Sequence, residues 1–167
     1  SKGNFYLSRN FRLQKVGNLY WLEKNYNFKN ISFYIDELII LNVSRQEKKI
    51  DKFIKDFNQL TANCFVPVTV GGGITDFDVA KNYLKNGADK IMLNSVTYNK
   101  PEVIKYIANV FGHQSIVIGV DFKKINDEFK IYINNGVQLI KKTFNTYLNE
   151  LVDLPFGELY LNSIDKD

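Results

Sequence analysis

Three consecutive glycines, Gly71-Gly72-Gly73, end the apolar run Val66-Pro67-Val68-Thr69-Val70 and stand just ahead of Asp76 and a helical pattern. Residues without Cβ let backbone N–H groups converge and let an anion come close, and a following helix adds its positive N-terminal end. The combination suits a phosphate group, although a tight strand-to-helix turn would use the same glycines. Asp121 closes a second run, Ile116-Val117-Ile118-Gly119-Val120. A carboxylate emerging from a dry wall has its pKa raised and can serve as general acid or base. As a helix cap, or paired with Lys123 or Lys124, it would do no chemistry. Asn94 and Ser95 end a third run, offering an amide and a hydroxyl either to a second side of the phosphate or to cap a turn. Asn42 and the pair Asn162-Ser163 finish two more. Glu37, Lys90 and Glu158 instead sit at or just before the starts of runs, where charges form a structural salt-bridge cluster or a polar passage. The single histidine, His113, precedes a run and so belongs to the end away from Asp121. No metal cluster can be assembled from the sequence, and nothing in it calls for a cofactor.

These residues need elements to hold them. Nearly continuous Val/Ile/Leu runs predict strands buried on both faces over 37–43, 66–70, 90–94, 115–121 and 158–163. Apolar spacing at i, i+3 and i+4 predicts helices over 46–61, 76–86, 101–111 and 143–151, with an earlier one over 19–26. Asp76 is placed to cap a helix start, Pro101 lies in a first turn, and Gly87 and Gly112 follow helix ends. The stretch 128–133, followed by Asn134-Asn135-Gly136, reads as a hairpin arm after the Asp121 strand. Repeated β-α units imply a parallel sheet with right-handed crossovers, either doubly wound or a (β/α)8 TIM barrel. A complete barrel takes about 250 residues. The chain opens on Ser1-Lys2-Gly3 in a loop and stops at Asp167 directly after a strand. The expectation is one partial α/β barrel domain over 1–167, about five β-α units of a longer protein, with two unpaired strand edges that favour self-association.

The 167 residues are 45% hydrophobic and 24% charged, enough for one ordinary core. No apolar run approaches the roughly 18 residues of a membrane span, and nothing resembles a signal peptide. One cysteine, Cys64, excludes an intramolecular disulfide, fits a reducing compartment such as the cytoplasm, and is expected as an inert core thiol. The surplus of 22 basic over 18 acidic residues is mild. Lysines lie scattered along helix faces and form no nucleic-acid stripe.

Several segments occur in one order: Gly3-x6-Asn10-Phe11, Ile35-Asp36-Glu37-Leu38, Val70-Gly71-Gly72-Gly73-Ile74, Gly87-Ala88-Asp89-Lys90, Phe111-Gly112-x-Gln114-Ser115, the Asp121 strand end and Asn162-Ser163-Ile164-Asp165-Lys166-Asp167. Together they resemble the cyclase subunit of imidazole glycerol phosphate synthase over nearly the whole chain. The resemblance implies a (β/α)8 barrel whose first strand and last two β-α units are absent here. It implies a glutamine amidotransferase subunit docked on the barrel floor, near Asp89, and ammonia passing a gate of Glu37, Lys90 and Glu158. It assigns Asp121 as one of two catalytic carboxylates, the other belonging to the first strand outside this sequence. Gly72, Gly73, Asn94 and Ser95 would hold one phosphate of a bis-phosphorylated ribulosyl intermediate. Asn162 and Ser163 would line the substrate, and Asp167 would lie near the second phosphate.

Some positions depart from that pattern. Asn42 stands where the family usually has aspartate, Asn162 where it usually has threonine, and the usually basic first loop reads Asn4-Phe5-Tyr6-Leu7-Ser8-Arg9. A neutral amide cannot replace a carboxylate in proton transfer, and Leu7 cannot contact phosphate. These changes resemble the branch that works with a glutaminase-like subunit and a third enzyme to amidate a surface-polysaccharide sugar. A non-catalytic, ammonia-conducting partner is a further alternative.

Overall fold

The structure is a computed structural model, in which residues 4–9, 12–26, 28–31, 33–44, 49–62 and 64–166 are described. The elements run β1 (Asn4–Arg9), β2 (Arg12–Asn18), α1 (Leu19–Tyr26), α2 (Phe28–Ile31), β3 (Leu38–Leu41), α3 (Ile50–Thr61), β4 (Val68–Gly71) and α4 (Phe77–Lys85). They continue with β5 (Lys90–Leu93), α5 (Ser95–Asn99), α6 (Glu102–Phe111), β6 (Ile116–Ile125), β7 (Glu128–Ile133), β8 (Gln138–Leu139), α7 (Phe144–Val152) and β9 (Glu158–Ser163).

β3, β4, β5, β6 and β9 pair in parallel in the order in which the chain makes them. A doubly wound sheet reverses that order at a switch point. Here it runs one way only, as the staves of a (β/α)8 barrel do. Alternation then sorts the side chains. Val68, Val70, Ile91, Leu93, Ile116, Ile118 and Val120 point outward into one core with Ile54, Phe57 and Leu60 of α3, Ala80 and Tyr83 of α4, and Ile104 and Ile107 of α6. The opposite face belongs to Thr69, Gly71, Lys90, Met92, Asn94, Gly119 and Asp121. Met92 fills its middle because glycines flank it: a Cβ at Gly71 would come 3.0 Å from Met92 Cβ, and one at Gly119 3.5 Å from its sulfur.

β6 runs four residues past Asp121 because its far half leaves the barrel wall as an arm. Residues 121–125 pair antiparallel with β7 across a turn in which Asn126 (φ 49°) and Asp127 (φ 64°) are both left-handed, the twist that a two-residue hairpin requires. A second turn at Asn134-Asn135-Gly136 leads to β8.

Three expectations change. The expected first loop over residues 4–9 is a strand: β1 and β2 form an antiparallel ribbon with a bulge at Phe5/Tyr6, and Phe5 and Val16 pack against the core. Residues 10 and 11, between them, lie outside the described residues, as do 1–3, the expected helical start at 46–48, and Asp167. Cys64 is half-buried rather than a core thiol. α5 was not expected, because five residues carry too little periodicity to register.

Candidate active site

The C-terminal ends of the staves form a polar mouth centred on Asp121. Its Oδ2 accepts from Asn94 Nδ2 at 3.0 Å and its Oδ1 from Asn162 Nδ2 at 2.6 Å. Both oxygens are thus held by neutral amides from the flanking strands β5 and β9. Neither a helix cap nor an ion pair with Lys123 or Lys124 is formed; Lys124 pairs with Asp127 at 2.8 Å. Burial lifts the Asp121 carboxyl above its ordinary range, against the pull of the two amide donors. A proton acceptor oriented at both oxygens and poised upward suits general acid–base work.

Asn94 does not cap its turn; it also donates to the Gly119 carbonyl at 3.0 Å, across to β6. Ser95 donates to Asn94 Oδ1 at 3.3 Å and accepts from the Asn134 N–H at 2.9 Å. A chain of hydrogen bonds therefore runs from the arm through Ser95 and Asn94 to Asp121. Ser163 faces away, donating to Asp165 at 3.0 Å.

The glycine loop stands beside Asn94. Gly72 (φ 87°) and Gly73 (φ 80°) are left-handed, and a Cβ at Gly72 would lie 2.4 Å from the Asn42 carbonyl oxygen. Close approach to the β3 end thus requires Gly72 in its own right, alongside any anion-binding use. Beyond the loop Asp76 caps α4, accepting from the Val79 N–H at 3.0 Å, which draws its carboxyl below the usual value. The buried Tyr83 hydroxyl donates to the Gly72 carbonyl at 3.4 Å, and burial pushes its phenol up against a neighbouring Asn42 amide. Asn42 is only 5% exposed; its Oδ1 accepts from the Ser44 N–H at 3.2 Å, while its Nδ2 has no hydrogen-bond partner among the described residues.

At the other end, about four residues or 13 Å down the staves, Lys90 Nζ lies 3.1 Å from Glu37 Oε2 and 2.5 Å from Glu158 Oε1. The Glu158 bond holds the ammonium above its usual pKa, burial works against it, and Glu37 adds to the rise. The expected trio is therefore assembled. The sequence reading missed its fourth member: buried Thr69 donates to the other Glu37 oxygen. A hydroxyl in the apolar run Val66–Val70 was the available signal. Asp89 sits at this end too, its carboxylate accepting from the Val68 N–H at 2.8 Å while its own N–H returns to the Val68 carbonyl at 3.0 Å. His113 lies in a 3₁₀ turn before β6, at the end opposite Asp121.

Among the described residues no group of three or more His, Cys, Asp or Glu could hold a metal, and no helix is long and apolar enough to cross a membrane.

Comparison with known proteins fits this geometry. The family model described as histidine biosynthesis protein matches residues 15–167. A protein of Parasynechococcus marenigrum (strain WH8102), provisionally named imidazole glycerol phosphate synthase subunit hisF2, is 44% identical over 165 residues, 99% of this chain and 61% of its own length. The imidazole glycerol phosphate synthase subunits HisF of Chlorobium phaeovibrioides (strain DSM 265 / 1930) and Thermotoga sp. (strain RQ2) are 33% and 32% identical over 79% and 80% of this chain. The chain spans 53% of the length of each of these two. With a matched family model, five staves in barrel order and the strand-end residues in register, the chain belongs to the histidine biosynthesis protein family, among its HisF-like members.

Proposed function

We propose that this chain carries one side of the ammonia-using cyclase site of imidazole glycerol phosphate synthase, acting on a bis-phosphorylated ribulosyl intermediate in histidine biosynthesis. The observation that carries the reading is Asp121: a buried carboxylate held by Asn94 and Asn162 beside a left-handed glycine loop at the helix α4 N-terminus. Asp121 is the general acid–base group. Gly72, Gly73, Asn94 and Ser95 hold one phosphate, and Asn162 lines the remainder of the mouth; Ser163, turned to Asp165, takes no part in it.

Ammonia enters from below. Glu37, Lys90 and Glu158 are the gate, and a glutamine amidotransferase subunit docks on this floor next to Asp89. Support comes from the aromatic residues at the same end: Phe33, Tyr34 and Phe65, all before the starts of β3 and β4, are 80%, 85% and 85% exposed. Water-facing rings of this size next to an ion cluster are the ordinary composition of a protein-binding patch.

In the intact protein, Asp121→Asn keeps an amide-sized group between Asn94 and Asn162 but removes the titratable oxygen. Ammonia-dependent turnover of the ribulosyl intermediate is expected to fall by about 10²-fold or more; turnover within a factor of two would remove Asp121 from the mechanism.

A second reading keeps the ammonia delivery and changes the acceptor to a sugar that is amidated. Asn42 favours it: a buried neutral amide offers hydrogen bonding where a carboxylate would offer proton transfer. Turnover with the sugar but not the ribulosyl intermediate would decide for it.

A further inference from the structure

We propose that Lys123, held over the ring of Tyr132 on the β6–β7 arm, is the cation that recognises a phosphate monoester dianion of the substrate at the mouth. The inference rests on the phosphate reading above and adds to it a binding residue from outside the barrel staves.

Lys123 lies two residues beyond Asp121 on one strand, so the two side chains share a face. Tyr132 stands directly opposite Asp121 in the antiparallel register, and Lys123 Nζ lies 5.1 Å from its ring centroid. The ammonium is therefore drawn back over the residue facing Asp121 instead of following the arm into solvent. Its neighbours on the arm behave differently. Lys124 is paired with Asp127 and Lys130 with Glu128, whereas Lys123 has no carboxylate partner among the described residues. An aromatic face orients a cation without neutralising it, which leaves the positive charge available.

The arm is also tied to the cradle. The Asn134 N–H, two residues beyond Tyr132, donates to Ser95 Oγ at 2.9 Å, so the arm and the end of β5 close on the same space. Among the described residues, the side chains hydrogen-bonded together there are amides, a hydroxyl and a carboxylate: Asn94, Asn162, Ser95 and Asp121. Backbone N–H groups and the α4 N-terminus supply partial positive charge, and a dianion beside Asp121 calls for a whole one.

The test titrates inorganic phosphate into the intact protein at constant ionic strength and follows the amide NMR signals of Gly72, Gly73 and Ser95. Wild-type protein is expected to show saturable shifts at these positions. Lys123→Met should weaken the apparent Kd by about five-fold or more, with Lys123→Arg staying within about two-fold. Tyr132→Leu, which frees the ammonium, should weaken binding while Tyr132→Phe does not. An unchanged Kd in Lys123→Met with the remaining spectrum intact overturns the proposal. If Lys123→Met disturbs the fold, Tyr132→Leu against Tyr132→Phe decides, and equal affinities overturn it. Absence of any phosphate-dependent shift in wild type fails the phosphate reading itself, a result distinct from the loss of Lys123 alone.

Discussion

Asp121 is held at both oxygens before any substrate arrives, and the balance of its surroundings sets its proton affinity. Burial raises the carboxyl pKa and the amides of Asn94 and Asn162 lower it, with burial the stronger. If the ionised form is the base, kcat/KM should fall on the acid side at a pH above the ordinary aspartate value of about 3.9. Removing the 2.6 Å donor with Asn162→Leu leaves burial less opposed, so that limb should move to still higher pH. A pH–rate profile measured on both proteins checks the sign, and an unmoved limb means Asn162 does not tune Asp121. The opposite end follows the other sign. The raised pKa of Lys90 contributes stability that is complete below the unfolded lysine value of about 10.4 and is lost as pH rises through the higher folded value. The Glu158 side chain is 47% exposed, so salt screens that part of the contribution.

The β4–α4 unit couples its own stability to the shape of the cradle. Asp76 satisfies the Val79 N–H, and the left-handed backbone at Gly72 and Gly73 delivers the chain to that cap. Asp76→Ala should cost about 1 kcal/mol and lower Tm by about 2–4 °C. The lowered carboxyl pKa means the contribution is present above the unfolded aspartate value and lost as pH falls through the folded one. The difference in Tm between wild type and variant, followed by circular dichroism, should therefore narrow in acid; a constant gap would assign the loss to something other than the charged cap. The arm is the complementary element. Phe122 and Phe129 stack with Phe144 of α7, so the arm is anchored along the outside of the sheet, while Asn134, just past the barrel end of β7, reaches Ser95.

Five staves in one direction leave two edges. β3 pairs only with β4 and β9 only with β6 among the described residues, and Ile39, Leu41, Leu159, Tyr160 and Leu161 on these strands are exposed. A cleft of about 1180 Å³ runs along the free side of β3, bounded by Phe5 and Leu7 of the ribbon and by Phe53 of α3. Unpaired strand edges with apolar side chains template further pairing. The 167-residue chain on its own should therefore show a mass that rises with concentration in light scattering. A monodisperse monomer at all concentrations would mean that the edges are protected in a way these strand pairings do not reveal.

Periodicity alone was enough to place β9 and α1 at their observed ends and the remaining barrel strands and helices to within a few residues, because burial on both faces or on one stripe leaves a direct mark on residue order. It also put Asp121, Asn94 and the glycines at one end and Glu37, Lys90 and Glu158 at the other, since strand direction carries that information. Alternation in the opening segment was too weak to announce a ribbon whose stability comes from packing Phe5 and Val16 on distant residues. Partners separated by 27 to 53 residues, such as Asn94 with Asp121 or Lys90 with Glu37, are brought together only when the staves curve side by side. The ring of Tyr132 under Lys123 likewise exists only once β7 folds back on β6, because a cation and an aromatic nine positions apart meet through strand register and not through spacing along the chain.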